Sequence, residues 1–408
     1  MLGAEIYYAN QRDLPAAMRT TIRQAMDTCH VHARSGIELP SAFFTAGRLS
    51  LLLNQSLDAF AYYARGVRHF LDGTSCVAAD TLARERDWLR RLHFGDQPPG
   101  ASQWAAGLLT LAERLSAGPS PSGTTTQRAP RVLVVAGGAA SLDAATLARV
   151  RPLLEVALEA FSGQVISGGT VVGVPGCAGR VAAKLAGRDR KHFELVGYTP
   201  ERLPQDARKD ARYDRLVTCG HAEFTPEQLL RSWSDTLDAG VRPENVLVLG
   251  FGGGRICATE YRLALAFGAT VAVVNGTGGA AGALLQDDLW SALANMLPVP
   301  NDHASVRALV APAQREFDGD VLDEMAQAFH EHYVSMSSGR LPGNMQPWPD
   351  LADTFKQANR DQARYAVQIL EACGFGVRLL AKSPVVFCFT DIDKNAVEEM
   401  AELEVYRK

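Results

Sequence analysis

The sequence predicts an α/β protein: a Rossmann-like, doubly wound, mostly parallel sheet with a helical N-terminal domain and a small, mainly helical C-terminal domain. Three observations predict it. Between 131 and 298, short β-branched runs alternate with amphipathic runs of helical length, as a parallel sheet covered by helices on both faces requires. Four of the apolar runs end in glycine-rich turns, where strands hand over to helices. The stretch 116–130 is rich in Ser, Thr, Pro and Gly, with hardly a large apolar side chain. It reads as a linker that separates the α/β segment from what precedes it.

Taken in order, 1–115 reads as a helical domain. Apolar positions at Leu14, Ala17, Met18, Ile22, Ala25 and Met26 form one stripe over 14–28. Leu52, Leu53, Leu57, Phe60 and Tyr63 form another within 50–70, and 81–92 gives a third, rich in arginine. After the linker, strands are expected at 131–136, 164–166, 193–196, 215–218, 245–249 and 270–274. Helices are expected at 143–160, 177–186, 226–239, 257–267 and 284–296. Thr225-Pro226-Glu227-Gln228 is a helix start, with a capping hydroxyl and proline in the first turn. The Rossmannoid domain spans 131–298, a connecting segment 299–345 holds one helix near 321–333, and a C-terminal unit spans 346–408. In that unit 351–358 and 360–373 read as helical, 385–389 as a strand, and 391–404 as a helix that Asp391 can cap.

Composition excludes several classes. The 408 residues allow two or three domains, and 41 basic against 45 acidic residues leave a net charge of −4, which gives no bulk attraction to nucleic acid. The seven cysteines are scattered and never form a C-x-x-C pair, so neither a disulfide framework nor a zinc site is expected. His30 and His32 alternate as two metal ligands on a strand would, but no third ligand at a recognisable spacing accompanies them. Apolar runs such as 263–274 are too short and glycine-broken to span a bilayer, and the N-terminus lacks a signal-peptide core. The expectation is a cytoplasmic protein with no membrane and no nucleic-acid partner; homo-oligomerisation is left open.

The glycine turns carry the candidate chemistry. They are Gly137-Gly138, Ser167-Gly168-Gly169-Thr170 continuing through Gly173 and Val174, Gly250-Phe251-Gly252-Gly253-Gly254-Arg255, and Gly276-Thr277-Gly278-Gly279. A strand that ends in small residues and turns into a helix leaves backbone N–H groups and the positive helix end facing one concavity, which suits a phosphate. In a parallel sheet such turns share one edge, so the four are expected to converge there. Arg255 at the mouth of its loop can pair with a phosphate through its planar fork. Glu260 either favours the positive end of its helix, accepts a ribose hydroxyl, or serves as an acid–base group if the protein is an enzyme.

Residues 131–298 resemble the SLOG superfamily, in the branch related to the N-terminal region of melastatin-type TRP channels. The resemblance rests on Val165-Ile166-Ser167-Gly168-Gly169-Thr170-Val171-Val172-Gly173-Val174, Leu249 to Arg255, Glu260 and Gly276 to Gly279. It implies a Rossmann-like fold that binds a nucleotide-derived ligand such as ADP-ribose, cyclic ADP-ribose or an NAD-like molecule, with no further cofactor required. Some SLOG relatives cleave the N-glycosidic bond with a Pro-Gly-Gly-x-Gly-Thr-x-Glu-Glu loop. Here Ile256 and Cys257 stand at its Gly-Thr positions, Thr259 replaces the first Glu and Glu260 keeps the second.

Residues 347–407 are similar to the RyR domain of ryanodine receptors. The similarity is carried by Pro347-Trp348-Pro349-Asp350-Leu351, Asn359-Arg360-Asp361-Gln362-Ala363, Leu370, Gly374-Phe375 and Ala401-Glu402-x-Glu404-x-x-Arg407, with Val405 and Lys408 departing from the family's closing His and Trp. The combination implies a sensor in a prokaryotic conflict or signalling system. Two other readings stay open: a nucleotide hydrolase of the phosphoribohydrolase kind, and an adaptor whose glycine loops are only turns. Gly169→Glu is expected to abolish ligand binding while leaving the fold largely intact.

Overall fold

The structure is a computed structural model. It describes residues 14–73, 80–91, 100–117, 130–138, 142–203, 205, 207–220, 223–310, 319–336 and 345–372. The linker core and the expected elements at 385–389 and 391–404 lie outside the described residues. Two compact units divide at 311/312.

Among the described residues, the first unit holds seven strands: β1 Val132–Gly137, β2 Gly163–Ser167, β3 Phe193–Thr199, β4 Arg215–Thr218, β5 Val246–Phe251, β6 Thr270–Val274 and β7 Met296–Val299. They form one sheet in the order β4-β3-β2-β1-β5-β6-β7, and each neighbouring pair is parallel. From β1 the chain steps outward through β2, β3 and β4, then returns to the other flank of β1 with β5. The winding direction therefore reverses between β1 and β5, which pair in register from Val132↔Val246 to Gly137↔Phe251.

Alternation along the central strands sends odd and even residues to opposite faces. Leu133, Val135, Leu247, Leu249 and Val274 pack beneath α6 Ala144–Ala160, α7 Gly173–Ala186 and α12 His303–Val310. Val132, Val134, Ala136, Val246, Val248, Val271 and Val273 face the other way. They meet α8 Pro226–Asp238, α9 Arg255–Phe267 and α10 Gly279–Leu285. A short helix, α11 Asp288–Ser291, precedes β7.

The N-terminal segment supplies α1 Ala16–Arg34, α2 Ser41–Leu52, α3 Ser56–Leu71, α4 Thr81–Arg91 and α5 Ala101–Ser116. Its apolar side chains, among them Phe60, Tyr63, Leu89 and Leu108, merge into the same core as the α8–α9 face of the sheet. Helix α3 lies directly against α9, where an Arg68 guanidinium N–H donates to the Leu265 carbonyl at 3.4 Å. The helical segment and the sheet thus form one packed body.

Several boundaries differ from the periodicity. The expected helix 50–70 is two helices, because the chain turns at Leu53–Gln55 with Asn54 at φ 66°. The helix expected from 177 starts at Gly173, where a proline fits the first turn. The run 284–296 splits into α10, α11 and the edge strand β7, whose Pro298 a central strand would not tolerate.

In the second unit, α13 Gly319–Met336 packs on α14 Asp353–Ala372, which runs unbroken where two shorter helices were expected. Arg360 grips Asp323 with both Nε and Nη2, the latter at 2.9 Å. His330 meets the Gln346 carbonyl at 2.7 Å and tilts against Trp348, with ring centroids 5.9 Å apart. Trp348 is therefore a packing residue of this unit.

Candidate functional site

The reversal between β1 and β5 sends the chain to α6 on one face and to α9 on the other, and in parallel sheets of this kind the crevice that takes ligands lies above the ends of the two strands at such a reversal. Three of the four glycine turns meet there. A Cβ on Gly137 would stand 2.8 Å from the Phe251 carbonyl oxygen, and one on Gly253 would reach within 3.7 Å of the Gly138 nitrogen. A Cβ on Gly279 would stand 2.6 Å from the Gly253 oxygen. These backbones approach too closely for side chains, and Gly252, Gly253, Gly278 and Gly279 also hold positive φ.

The β5 and β6 turns are locked together. The Gly252 N–H donates to Thr277 Oγ1 at 3.0 Å, and that hydroxyl donates to the Val274 carbonyl at 2.8 Å. Ala280 and Ala281 N–H groups donate to Gly253 and Gly252 carbonyls at 2.8 and 2.9 Å. Thr277 is buried by this role and is a structural cap for the neighbouring turn. With its carbonyls turned toward β6, the β5 turn presents the exposed Gly254 and the first turn of α9 to the crevice. The leading N–H groups of a helix have no intrahelical acceptor, and here they carry the positive end of the α9 dipole.

The β2 turn behaves differently. Ser167 is buried, and its hydroxyl donates to the Val135 carbonyl at 2.8 Å, which ties β2 to β1. Gly169 sits at φ 70°, and a Cβ there would stand 2.8 Å from Thr199 Cγ2. Thr170 bridges Lys209, while the Gly169 carbonyl accepts the Asp210 N–H at 3.0 Å and Val171 donates to Arg208 at 3.1 Å. Gly168 abuts Pro175. Ser167 to Thr170 therefore form a packed seam against β3, β4 and 208–210. Only the continuation reaches the crevice: Val174 donates its N–H to the Gly138 carbonyl at 3.4 Å and packs on Gly137. Gly173 begins α7 at φ 61°. Gly250 and Phe251 are buried strand residues beneath the site, and Gly276 opens the β6 turn at φ 76°.

Two residues absent from the sequence candidates hold the crevice floor. Tyr261 is fully buried, with its hydroxyl 3.4 Å from the Ala136 carbonyl and 3.2 Å from the Gly252 carbonyl, so it spans the ends of β1 and β5. Cys257 packs under Gly253. Burial and the nearby Glu260 push its thiol up to about 12, although the N–H groups of Gly254, Cys257 and Gly137 act in the opposite direction. This is a neutral thiol at the crevice wall, not a nucleophile. The i, i+4 spacing of Cys257 and Tyr261 places both on one helix face, a phase visible in the sequence once the helix start is fixed.

Arg255 is exposed on the first turn of α9, with no ion pair among the described residues. Glu260 lies one turn further along. It is half-buried against Val134, Ile166 and the α8 residues Leu229, Ser232, Trp233 and Thr236, beside a gap of about 10 Å³. Such a gap admits about one water. Burial pushes its carboxyl up to about 7. Thr259, at the first Glu position of the hydrolase loop, is buried and donates to the Arg255 carbonyl at 3.0 Å. Among the described residues no group of histidine, cysteine and acidic side chains could hold a metal ion, and no helix is long and apolar enough to cross a membrane.

Comparison with known proteins agrees with the sheet region. Residues 130–316 match the family model described as SLOG in TRPM, prokaryote. A search of curated proteins gives no match. Among solved structures, the X-ray structure of TM1055, a structural-genomics target, is 21% identical, with a TM-score of 0.28 over 38% of this chain and 81% of its own. The molybdenum cofactor carrier protein from Chlamydomonas reinhardtii is also 21% identical, with a TM-score of 0.30 over 45% of this chain and 96% of its own. By that match, residues 130–316 are similar to the SLOG domains of this family.

Proposed function

We propose that the protein is a sensor that binds a nucleotide-derived small molecule, such as ADP-ribose, cyclic ADP-ribose or an NAD-like compound, in the β1/β5 crevice. The observation that carries this reading is the meeting of the Gly137-Gly138, Gly252-Gly253-Gly254 and Gly276–Gly279 turns beside the first turn of α9. Backbone amides and a helix N-terminus favour a phosphate, and the exposed Arg255 adds a guanidinium at the mouth. The similarity of residues 130–316 to the SLOG family favours the same ligand class.

Binding without turnover is the preferred reading. N-glycosidic hydrolysis by the related loop uses two carboxylates. Here the first position is a buried threonine tied to its own helix, and the remaining acid, Glu260, faces α8 and the sheet. The C-terminal unit, through its similarity to the RyR domain, is the candidate relay to a prokaryotic conflict or signalling output.

Thermal unfolding with ADP-ribose, cyclic ADP-ribose, NAD and AMP, with chromatography of each mixture, tests this. A ligand at about a hundred times its Kd adds roughly 2.7 kcal/mol of stability. A shift with the nucleotide intact supports the sensor. Released base supports the hydrolase, and no shift with any of the four refutes both.

A further inference from the structure

The helical segment carries a second feature that the crevice does not use. Arg84, Trp88 and Arg91 recur at i, i+4 and i+7 on α4 and so form one stripe. With Arg48 of α2, Asp87 and Arg90 they line an open groove of about 620 Å³. Its floor is fixed. Arg48 donates from Nε and Nη2 to the buried Glu85 carboxylate, the Nε bond at 2.7 Å, and Tyr63 Oη donates to the same carboxylate at 2.7 Å. The Arg48 guanidinium thereby lies over the Trp88 ring, 4.6 Å from its centroid. Arg84, Arg90 and Arg91 are exposed around it; Arg84 lies 3.1 Å from the Asp80 carboxylate and Arg90 3.6 Å from that of Asp87, solvated pairs that an incoming carboxylate can exchange.

We propose that this groove docks an acidic segment of a partner protein. Its cations are all arginine, beside a tryptophan. These are the residue types that dominate binding energy at protein interfaces, whereas lysine is depleted there. The stripe from Arg84 to Arg91 runs about 10 Å along the helix, and carboxylates two residues apart in an extended segment repeat at about 7 Å, so a short acidic strand reaches both ends. Holding Arg48 on Trp88 in advance lowers the ordering cost of docking. An open groove covers too little of a small anion to hold it alone.

The test is fluorescence anisotropy of the full chain with a labelled 12-residue Glu/Asp-rich peptide carrying one phenylalanine. Single-stranded oligo(dT) and tripolyphosphate serve as competitors. The expected result is salt-sensitive peptide binding weakened about tenfold or more by Arg84→Glu/Arg91→Glu, and unaltered by the control Arg149→Glu/Arg151→Glu on α6. Melting curves check that both variants fold; if the first does not, Arg91→Ala alone replaces it. No peptide binding below about 100 µM overturns the proposal, since affinity weaker than that falls short of a specific contact. Equal loss in the control, or tighter binding of oligo(dT) or tripolyphosphate than of the peptide, overturns it as well. Failure here leaves the ligand-induced thermal shift of the crevice untouched.

Discussion

The Tyr261 hydroxyl sits 3.2 Å from the Gly252 carbonyl oxygen and 3.4 Å from that of Ala136, so one buried phenol on α9 bridges the two strands between which the sheet reverses direction. The ring also fills the space beside Gly250, where a Cβ would come within 2.8 Å of it. Floor and mouth of the crevice therefore belong to one helix, whose first turn faces outward and whose second turn holds the strands in place.

Tyr261→Phe keeps the ring and removes the bridge. A buried hydrogen bond is worth about 1 kcal/mol net, and stranded carbonyl acceptors cost somewhat more, so a loss of roughly 1–2 kcal/mol is expected. Urea unfolding reads the loss. Ligand affinity should fall with it, because the relative placement of Gly137 and Gly252 is then less defined.

Gly169 is the position where structure and sequence pattern part. The Ser-Gly-Gly-Thr turn reads as a phosphate loop, yet Gly169 lies against Thr199, Leu216 and Gly197 at φ 70°. Gly169→Glu is therefore a folding lesion rather than a clean test of binding. Even Gly169→Ala should cost about 2 kcal/mol or more, from overpacking and a left-handed backbone together. An alanine variant of wild-type stability in urea would contradict this packing role.

Glu260 should make stability fall as pH rises toward neutrality. Burial raises its folded value to about 7 from an ordinary value near 4.5, because the apolar surroundings penalise the carboxylate. The stability from this group is complete below about pH 4.5 and is lost as pH rises through 7; the loss approaches roughly 3 kcal/mol. Glu260→Gln removes that dependence. The variant should gain stability over wild type at pH 8 and show little difference at pH 4.5. Urea titrations at both values check it, and parallel behaviour of the two proteins would contradict it.

What was legible follows from what is periodic. Strands β1 to β6, the helices between them and the crowding of glycine turns at one edge could be read from alternation and turn residues, because each is encoded within a dozen neighbouring positions. The role of the β2 turn was not. Its partners, Thr199 and 208–210, lie in a strand end and an irregular segment that no local pattern connects to it. Thr277 resembled a ligand hydroxyl for a similar reason, since its acceptor role toward Gly252 exists only once β5 and β6 are neighbours. Tyr261 reads in the sequence as one more apolar position of a helix, since its bridge to Ala136 and Gly252 exists only in the fold. The break at Asn54 leaves no mark in the pattern, because the helical stripe continues in phase across it.

Gly254 offers the sharpest test of the crevice itself. It is exposed, its φ is −99°, a Cβ there meets nothing within 4 Å, and it caps the N-terminus of α9. Aspartate is a favoured residue at such a cap, so Gly254→Asp should leave stability unchanged or raise it by a few tenths of a kcal/mol. The same carboxylate sets a negative charge where the ligand phosphate is proposed to lie. Calorimetric titration of ADP-ribose into wild type and Gly254→Asp should give binding to the first and a loss of at least about tenfold in the second, at equal melting temperature. Undiminished binding by the folded variant would contradict an anion site at the start of α9.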